Sequence, residues 1–306
     1  MVRKDGYLNL DLYYKELGNT KGLIYGTEDS LSQYWLTIEG EKYYFKESDH
    51  PINEVICYEL AKIMNIPSVP YDLAIFKDNY GVISKSYRKE NCQYIPGYEI
   101  LKKFFKDKFD ILLEMGFDEE GAKRNKFGGA KYPYDVQMNN LETIWESLSY
   151  YFPGKDISKC MNKLVEQFIF SILTCQTDMA AHNWEIEISE NGINAVDNYD
   201  NEESFNRFAT YSEIDVSMHK GKSNFKDVLK KFLRISSSEY IDLFLEKYSL
   251  LTEENLLKVF EIIEMDYNIE ISNSKKQRIL ENVKLNKIDI DDALEQCGID
   301  KSIGRK

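Results

Sequence analysis

The sequence predicts an α+β chain of two lobes: a small β-rich lobe with one main helix over residues 1–90, and a larger, mostly helical lobe over 91–306. Three observations carry that expectation. Aromatic and β-branched runs joined by a short glycine turn mark the first part of the chain, a single helical period interrupts them near Ile52, and beyond about Glu90 the apolar spacing becomes helical.

Taken in order, Leu8, Leu10 and Leu12 alternate, and Gly18 and Gly22 are expected to break that pattern. Residues 26–32 read as a small polar loop containing Ser30 and Ser32. The runs 33–38 and 42–46 flank Glu39-Gly40-Glu41 and read as a β-hairpin. Ile52, Val55, Ile56, Leu60, Ile63 and Met64 then fall on one helical face, with Pro51 opening the helix and Pro67 closing it. Two strands, 71–76 and 80–86, are expected around an Asp78-Asn79 turn. Hairpin, helix and two strands in that order match the small nucleotide-binding lobe of a protein kinase.

In the second lobe, residues 116–135 combine four glycines with Lys123, Arg124, Lys126 and Lys131. They read as a mobile basic surface insertion, with a lid or a docking strip for an acidic partner as the alternative. Residues 158–175 form the clearest helix, its apolar face made by Met161, Leu164, Val165, Phe168, Ile169, Ile172 and Leu173. The stretch 201–224 is polar and without period, an activation-type loop or a plain connector. Helical patterns then resume, with Thr252, Ser274 and Asp289 as expected N-caps.

Composition narrows the function classes. A formal net charge of -13 opposes binding to nucleic acid phosphates. The five cysteines are scattered, without a CxxC pair, and read as free thiols, three of them in apolar helical patterns; the three histidines lack zinc spacing. No apolar run reaches the length of a membrane span, and the polar start Met-Val-Arg-Lys-Asp-Gly has no apolar region behind it. The expectation is a cytoplasmic protein, with leaderless export left open.

The chemistry concentrates in 176–184 and 193–200. Phosphoryl transfer from ATP needs one carboxylate at the acceptor hydroxyl and separate oxygen ligands for Mg²⁺. Asp178 and Asn183 stand five residues apart, the separation of the catalytic Asp and the metal-binding Asn in kinase catalytic loops. A second magnesium carboxylate on the next strand turn is expected from Asp200, or from Asp197 if the string 196–200 is read in the manner of small-molecule kinases. Lys46 ends the hairpin, where a point charge suits nucleotide phosphates. Helix geometry leaves its partner open: Glu59 lies nearer the apolar face, while Glu54 sits in the first turn and complements the helix dipole.

The segments 45–48, 53–62 with Ile66-Pro67-Ser68-Val69-Pro70, Thr177-Asp178 through His182-Asn183, and Asn198-Tyr199-Asp200 together resemble the HipA-like serine/threonine kinases, in particular their compact bacterial members. The resemblance implies a two-lobed protein-kinase-like fold and ATP and Mg²⁺ as cofactors. It also implies a protein substrate with a Ser or Thr acceptor, self-phosphorylation, and a partner of antitoxin type. It favours Glu54 as the partner of Lys46, Asp178 as catalytic base, Asn183 and Asp200 as magnesium ligands, and His182 near the nucleotide. Ser30 and Ser32 would belong to the phosphate loop and be candidates for regulatory phosphorylation. Two departures stand out: Gln33 follows Ser32 where the family carries glycine, and Thr177 precedes Asp178 in place of arginine. A small-molecule phosphotransferase of the aminoglycoside or choline type, and a catalytically inactive kinase-like binding module, are the alternatives.

Overall fold

The computed structural model describes residues 3–12, 15–19, 33–107, 123–124, 130–131, 141–176, 181–205 and 225–300. The chain opens with β1 (Arg3–Lys4), β2 (Tyr7–Asn9) and β3 (Lys15–Asn19), followed by β4 (Gln33–Ile38) and β5 (Glu41–Glu47). Helix α1 (Pro51–Ile63) precedes β6 (Asp72–Phe76) and β7 (Asn79–Lys85). These seven strands form one sheet in the order β1-β2-β6-β7-β5-β4-β3, antiparallel throughout except between β2 and β6. A β-rich lobe bearing one main helix is therefore in place, as expected.

The larger part contains β8 (Gln93–Pro96), α2 (Gly97–Asp107), the two-residue strands β9 (Lys123–Arg124) and β10 (Ala130–Lys131), α3 (Leu141–Tyr151) and α4 (Ser158–Thr174). After them come β11 (Glu185–Ser189), β12 (Gly192–Ala195), α5 (Phe225–Ile235), α6 (Ser238–Leu250), α7 (Glu253–Tyr267) and α8 (Asn273–Gln296). A second antiparallel sheet, β12-β11-β8, lies at the junction with the first lobe.

Strand periodicity decides which way each residue faces, because neighbouring side chains leave opposite sides of a sheet. Tyr34, Leu36 and Ile38 are buried on β4 while Gln33, Trp35 and Thr37 are half-buried. On β5, Phe45 enters the cluster formed with Leu36, Ile38 and Phe76 on the outer face. Lys46, one residue on, points to the other face, which α1 covers. That inner face joins a single core in which Val55, Ile56 and Leu60 of α1 share a cluster with Leu73, Val82 and the whole apolar face of α4. The core that supports α4 thus supports α1 as well.

Several local expectations are corrected. Gly18 does not end the first strand run; it lies inside β3, where the ladder to β4 shifts register between Glu16 and Gly18, as a bulge permits. The turn between β6 and β7 is Lys77-Asp78, both at positive φ (52° and 62°), and Asn79 already belongs to β7. Both residues of that turn are left-handed, which matches strand twist in a two-residue hairpin. β8 falls in the stretch expected to be helical, yet its four residues pair with β11. Thr252 caps α7 by accepting from the Asn255 N–H at 3.1 Å. Ser272, not Ser274, caps α8, and Asp289 lies in the middle of that 24-residue helix. Most of 116–135 lies outside the described residues; within it β9 and β10 form an antiparallel pair.

Among the described residues no helix is long and apolar enough to cross a membrane. Cys57, Cys92, Cys160, Cys175 and Cys297 are free thiols, with Cys57, Cys160 and Cys175 buried.

Candidate active site at the junction of the lobes

Lys46 leaves the inner face of β5 and meets three carboxylates. Its ammonium pairs directly with Asp200 Oδ1, lies 3.2 Å from Glu202 Oε1 and is 3.7 Å from Glu54 Oε1. Burial disfavours the charged lysine, but Asp200 first, then Glu54 and Glu202, outweigh it and hold the ammonium above the ordinary lysine range. The cost appears on Glu54, which is wholly buried. Burial pushes its carboxyl up to about 8 against the pull of Lys46, with Asp200 adding to the rise. Glu54 Oε1 has no hydrogen-bond partner, and neither does the buried Glu202 Oε2. Around one cation, then, three acids compete, and the cluster carries excess negative charge.

The segment that delivers Asp200 is tied on both sides. Asn198 pairs with the stretch after α1, its carbonyl accepting from the Val69 N–H at 2.9 Å and its N–H donating to Pro67 O at 3.0 Å. The Asn201 N–H donates to Glu54 Oε2 at 2.8 Å. Asn53, beside Glu54 on α1, donates from its amide to the Glu202 carbonyl at 2.7 Å and the Ser204 carbonyl at 3.2 Å. From the other lobe, Gln176 donates to the Asp200 carbonyl at 2.6 Å, just past the C-terminus of α4. The Phe205 N–H reaches Thr174 O at 2.7 Å. Asp200 itself adopts a left-handed φ of 61°, a conformation that aspartate tolerates better than most residues.

α4 ends at Cys175 in the left-handed region, φ 53°. The chain re-enters the described residues in a short 3-10 turn, Ala181–Asn183, followed by fully buried Trp184. Asn183 is buried there. The Trp184 carbonyl accepts from the Gly97 N–H at 2.9 Å, which fixes the turn against the start of α2. A side chain at position 97 would strike the indole, since a Cβ there would lie 2.2 Å from a ring atom. Glycine is therefore a requirement of that contact.

Among the residues expected to form the site, the structure brings Lys46, Glu54 and Asp200 together. Glu59 pairs instead with Lys62 at 2.7 Å. Asp197 is paired with Lys163, away from Lys46. Asp178, Ser30 and Ser32 lie outside the described residues, as does the side chain of His182. Glu202, the third acid on Lys46, is not among the residues expected at the site, because the polar stretch 201–224 reads as an activation-type loop or a plain connector. The signal was there: a second carboxylate two positions beyond Asp200. Gln176 and Asn53 have no expected role in the sequence, yet both hold the Asp200 segment through backbone carbonyls.

The donor chemistry fits ATP and magnesium. A buried ammonium suits phosphate oxygens, the Asp200 carboxylate and the Asn183 amide oxygen are hard donors of the type Mg²⁺ prefers, and the excess negative charge around Lys46 favours a divalent cation. Among the described residues no three His, Cys, Asp or Glu side chains are grouped to hold a metal by themselves.

No protein-family model matches the chain, and no curated protein does. Solved structures do. The chain is similar to the proinflammatory kinase CtkA of Helicobacter pylori, with a TM-score of 0.57 at 11% identity, over 95% of this chain and 98% of that one. HipA of a Shewanella oneidensis MR-1 toxin–antitoxin complex is similar at a TM-score of 0.44 and 14% identity, over 93% of this chain and 69% of that one. Hydra Fam20 follows at 0.38 and 11%, over 89% and 84%. At such identities the first likeness establishes the fold, a two-lobed kinase-like architecture, and nothing about activity.

Proposed function

We propose that the protein is an ATP- and Mg²⁺-dependent phosphotransferase of the HipA-like type, acting on Ser or Thr hydroxyls of proteins, its own included. The observation that carries the reading is the meeting of Lys46, Glu54 and Asp200 at one point between the lobes. A lysine of the sheet, a glutamate of the main helix and an aspartate after the second sheet are the parts that phosphoryl transfer on this fold uses.

In this reading Lys46 binds phosphate oxygens, with Glu54 orienting it from α1. Asp200 and Asn183 hold Mg²⁺, which supplies charge neutralisation on the transferring phosphoryl group. Asp178 takes the proton of the acceptor hydroxyl, the role its spacing to Asn183 suggests. Glu202 occupies Lys46 together with Asp200, so nucleotide must compete with carboxylates for the ammonium. The pairing of Asp197 with Lys163 weighs against the small-molecule-kinase reading in which Asp197 is the metal ligand. An antitoxin-type partner belongs to the proposal through the family resemblance alone.

The test is incubation with γ-labelled ATP and Mg²⁺, with the chain alone, with a generic protein acceptor and with aminoglycoside or choline acceptors. Label on Ser or Thr is expected, abolished by Lys46→Met. Asp178→Asn is expected to lower turnover far more than ATP binding. Transfer to the small acceptors alone, or no ATP-dependent stabilisation of the fold, overturns the reading.

A further inference from the structure

Three acids share the Lys46 ammonium, and the fold commits two of them. Glu54 is wholly buried on α1, and its Oε2 accepts from the Asn201 N–H at 2.8 Å. Asp200 makes the closest pair with the ammonium, and Gln176 holds its backbone carbonyl at 2.6 Å. Both acids are anchored by hydrogen bonds across the junction of the lobes.

Glu202 differs. Its backbone carbonyl accepts from the Asn53 amide at 2.7 Å, which sets where the residue stands, but its carboxylate has no comparable anchor. Oε1 lies 3.2 Å from the Lys46 ammonium, longer than a charge-assisted hydrogen bond, and the buried Oε2 has no hydrogen-bond partner. A carboxylate oxygen in that position carries a desolvation cost that no hydrogen bond offsets. There is also room for it to turn. Glu202 borders a cavity of about 300 Å³ between the starts of α1 and α8, beside Asn53, Ser204 and Ile279. The carboxylate can therefore part from Lys46 while the backbone stays on Asn53.

Charge gives the direction of the effect. Lys46 brings one positive charge against three acids, so the third is surplus. Its presence adds to the burial that raises the Glu54 carboxyl. A carboxylate oxygen on an ammonium also stands in for a phosphate oxygen, since both are anionic acceptors of the same donor.

We infer that Glu202 is an internal competitor for nucleotide phosphate at Lys46, an affinity-setting residue that occupies the ammonium until Mg²⁺-bound ATP takes it. The inference rests on the reading of Lys46 as the phosphate-binding cation and adds a sign to it. Loss of Glu54 or Asp200 weakens nucleotide binding, whereas loss of the Glu202 charge strengthens it. Opposite signs from acids on one lysine separate a competitor from the groups that orient the lysine or hold the metal.

The experiment titrates the full chain with ATP at fixed excess Mg²⁺ by calorimetry, with the rise in Tm as a second readout. Glu202→Gln keeps the shape of the side chain and removes its charge; it is expected to bind ATP more tightly by roughly fivefold, the upper size of an ion pair near a surface. Glu202→Ala is expected to move in the same direction. Glu203→Gln removes the same charge one residue on, away from the ammonium, and is expected to leave the affinity unchanged. Urea unfolding should find Glu202→Gln at least as stable as the wild type, because an acid is withdrawn from a crowded cluster. Equal or weaker ATP binding by both Glu202 variants overturns the inference while leaving the phosphotransferase reading in place; weaker binding that appears only with Mg²⁺ marks Glu202 as a metal ligand instead. An equal gain in Glu203→Gln overturns it too, as an effect of overall charge. Absence of ATP binding by the wild type and by every variant overturns the phosphotransferase reading, and this inference with it.

Discussion

Replacing Glu54 by Gln should separate the stability of the fold from the function of the site. Glu54 is wholly buried, its Oε2 accepts from the Asn201 N–H at 2.8 Å, and its Oε1 faces Lys46 at 3.7 Å without a hydrogen bond. Burial holds the folded carboxyl at about 8, above an ordinary value of 4.5. A raised folded value means that the native state binds the proton more tightly than the unfolded chain. The contribution is therefore fully present below pH 4.5 and lost as pH climbs to about 8. The slope is roughly 1.4 kcal/mol per pH unit within that window, on the order of 5 kcal/mol at most across it. Glutamine keeps the bond to Asn201 and cannot ionise. Glu54→Gln is accordingly expected to match the wild type near pH 5 and to exceed it in stability by a few kcal/mol at pH 8. ATP binding should fall, because Lys46 then has only Asp200 and Glu202 to orient it. Urea unfolding of both proteins at pH 5, 6, 7 and 8 isolates the difference, since every other titrating group is shared. Parallel pH profiles, or a variant less stable than the wild type at pH 8, would refute the reasoning.

Asn53→Ala removes the amide that serves the part-buried Glu202 and buried Ser204 carbonyls; leaving them unmet should cost about 1–3 kcal/mol in denaturant unfolding. Gly97→Ala drives a methyl into the Trp184 ring and is expected to cost at least the roughly 1–3 kcal/mol of an overpacked core, with a change in near-UV circular dichroism. Asp200→Gly and Asp200→Ala both remove the nearest of the three acids on Lys46 and the proposed magnesium carboxylate, and should both abolish any ATP-dependent rise in Tm. Because position 200 has φ 61°, the glycine variant should be the more stable of the two by about 1 kcal/mol.

What the sequence disclosed depended on how far each signal had to reach. The hairpin of β4 and β5, helix α1 and helix α4 were legible because their periods are local and their apolar faces continuous. The junction residues Lys46, Glu54 and Asp200 were legible as a set through their order along the chain, although no local rule separates Glu54 from Glu59. β8 was not legible. Four half-buried or exposed residues have no period of their own and become a strand only through β11, some ninety positions away. Ser274 and Ser272 are equivalent on composition, and only the backbone decides which hydroxyl meets the Lys275 N–H. Glu202 escaped because its role depends on a lysine 156 positions earlier.

The residues between Asn198 and Phe205 explain why the cluster at Lys46 forms in the fold itself. A buried ammonium facing three acids is an expensive arrangement, since each charge must be desolvated and the acids repel one another. Asp200 adds a left-handed backbone to that cost. What offsets it is that the segment is hydrogen-bonded to both lobes at once: to Pro67, Val69, Asn53 and Glu54 on the small-lobe side, and to Thr174 and Gln176 at the end of α4 on the other. α1 and α4 in turn share one apolar core. Displacing the Asp200 backbone from Lys46 would therefore require breaking hydrogen bonds to α1 and to the end of α4, which the core holds in register. Relocating the ammonium alone requires only a rotation of the flexible lysine side chain. Competition at this site is accordingly settled by side-chain rotation, of Lys46 above all, on a backbone frame that stays in place.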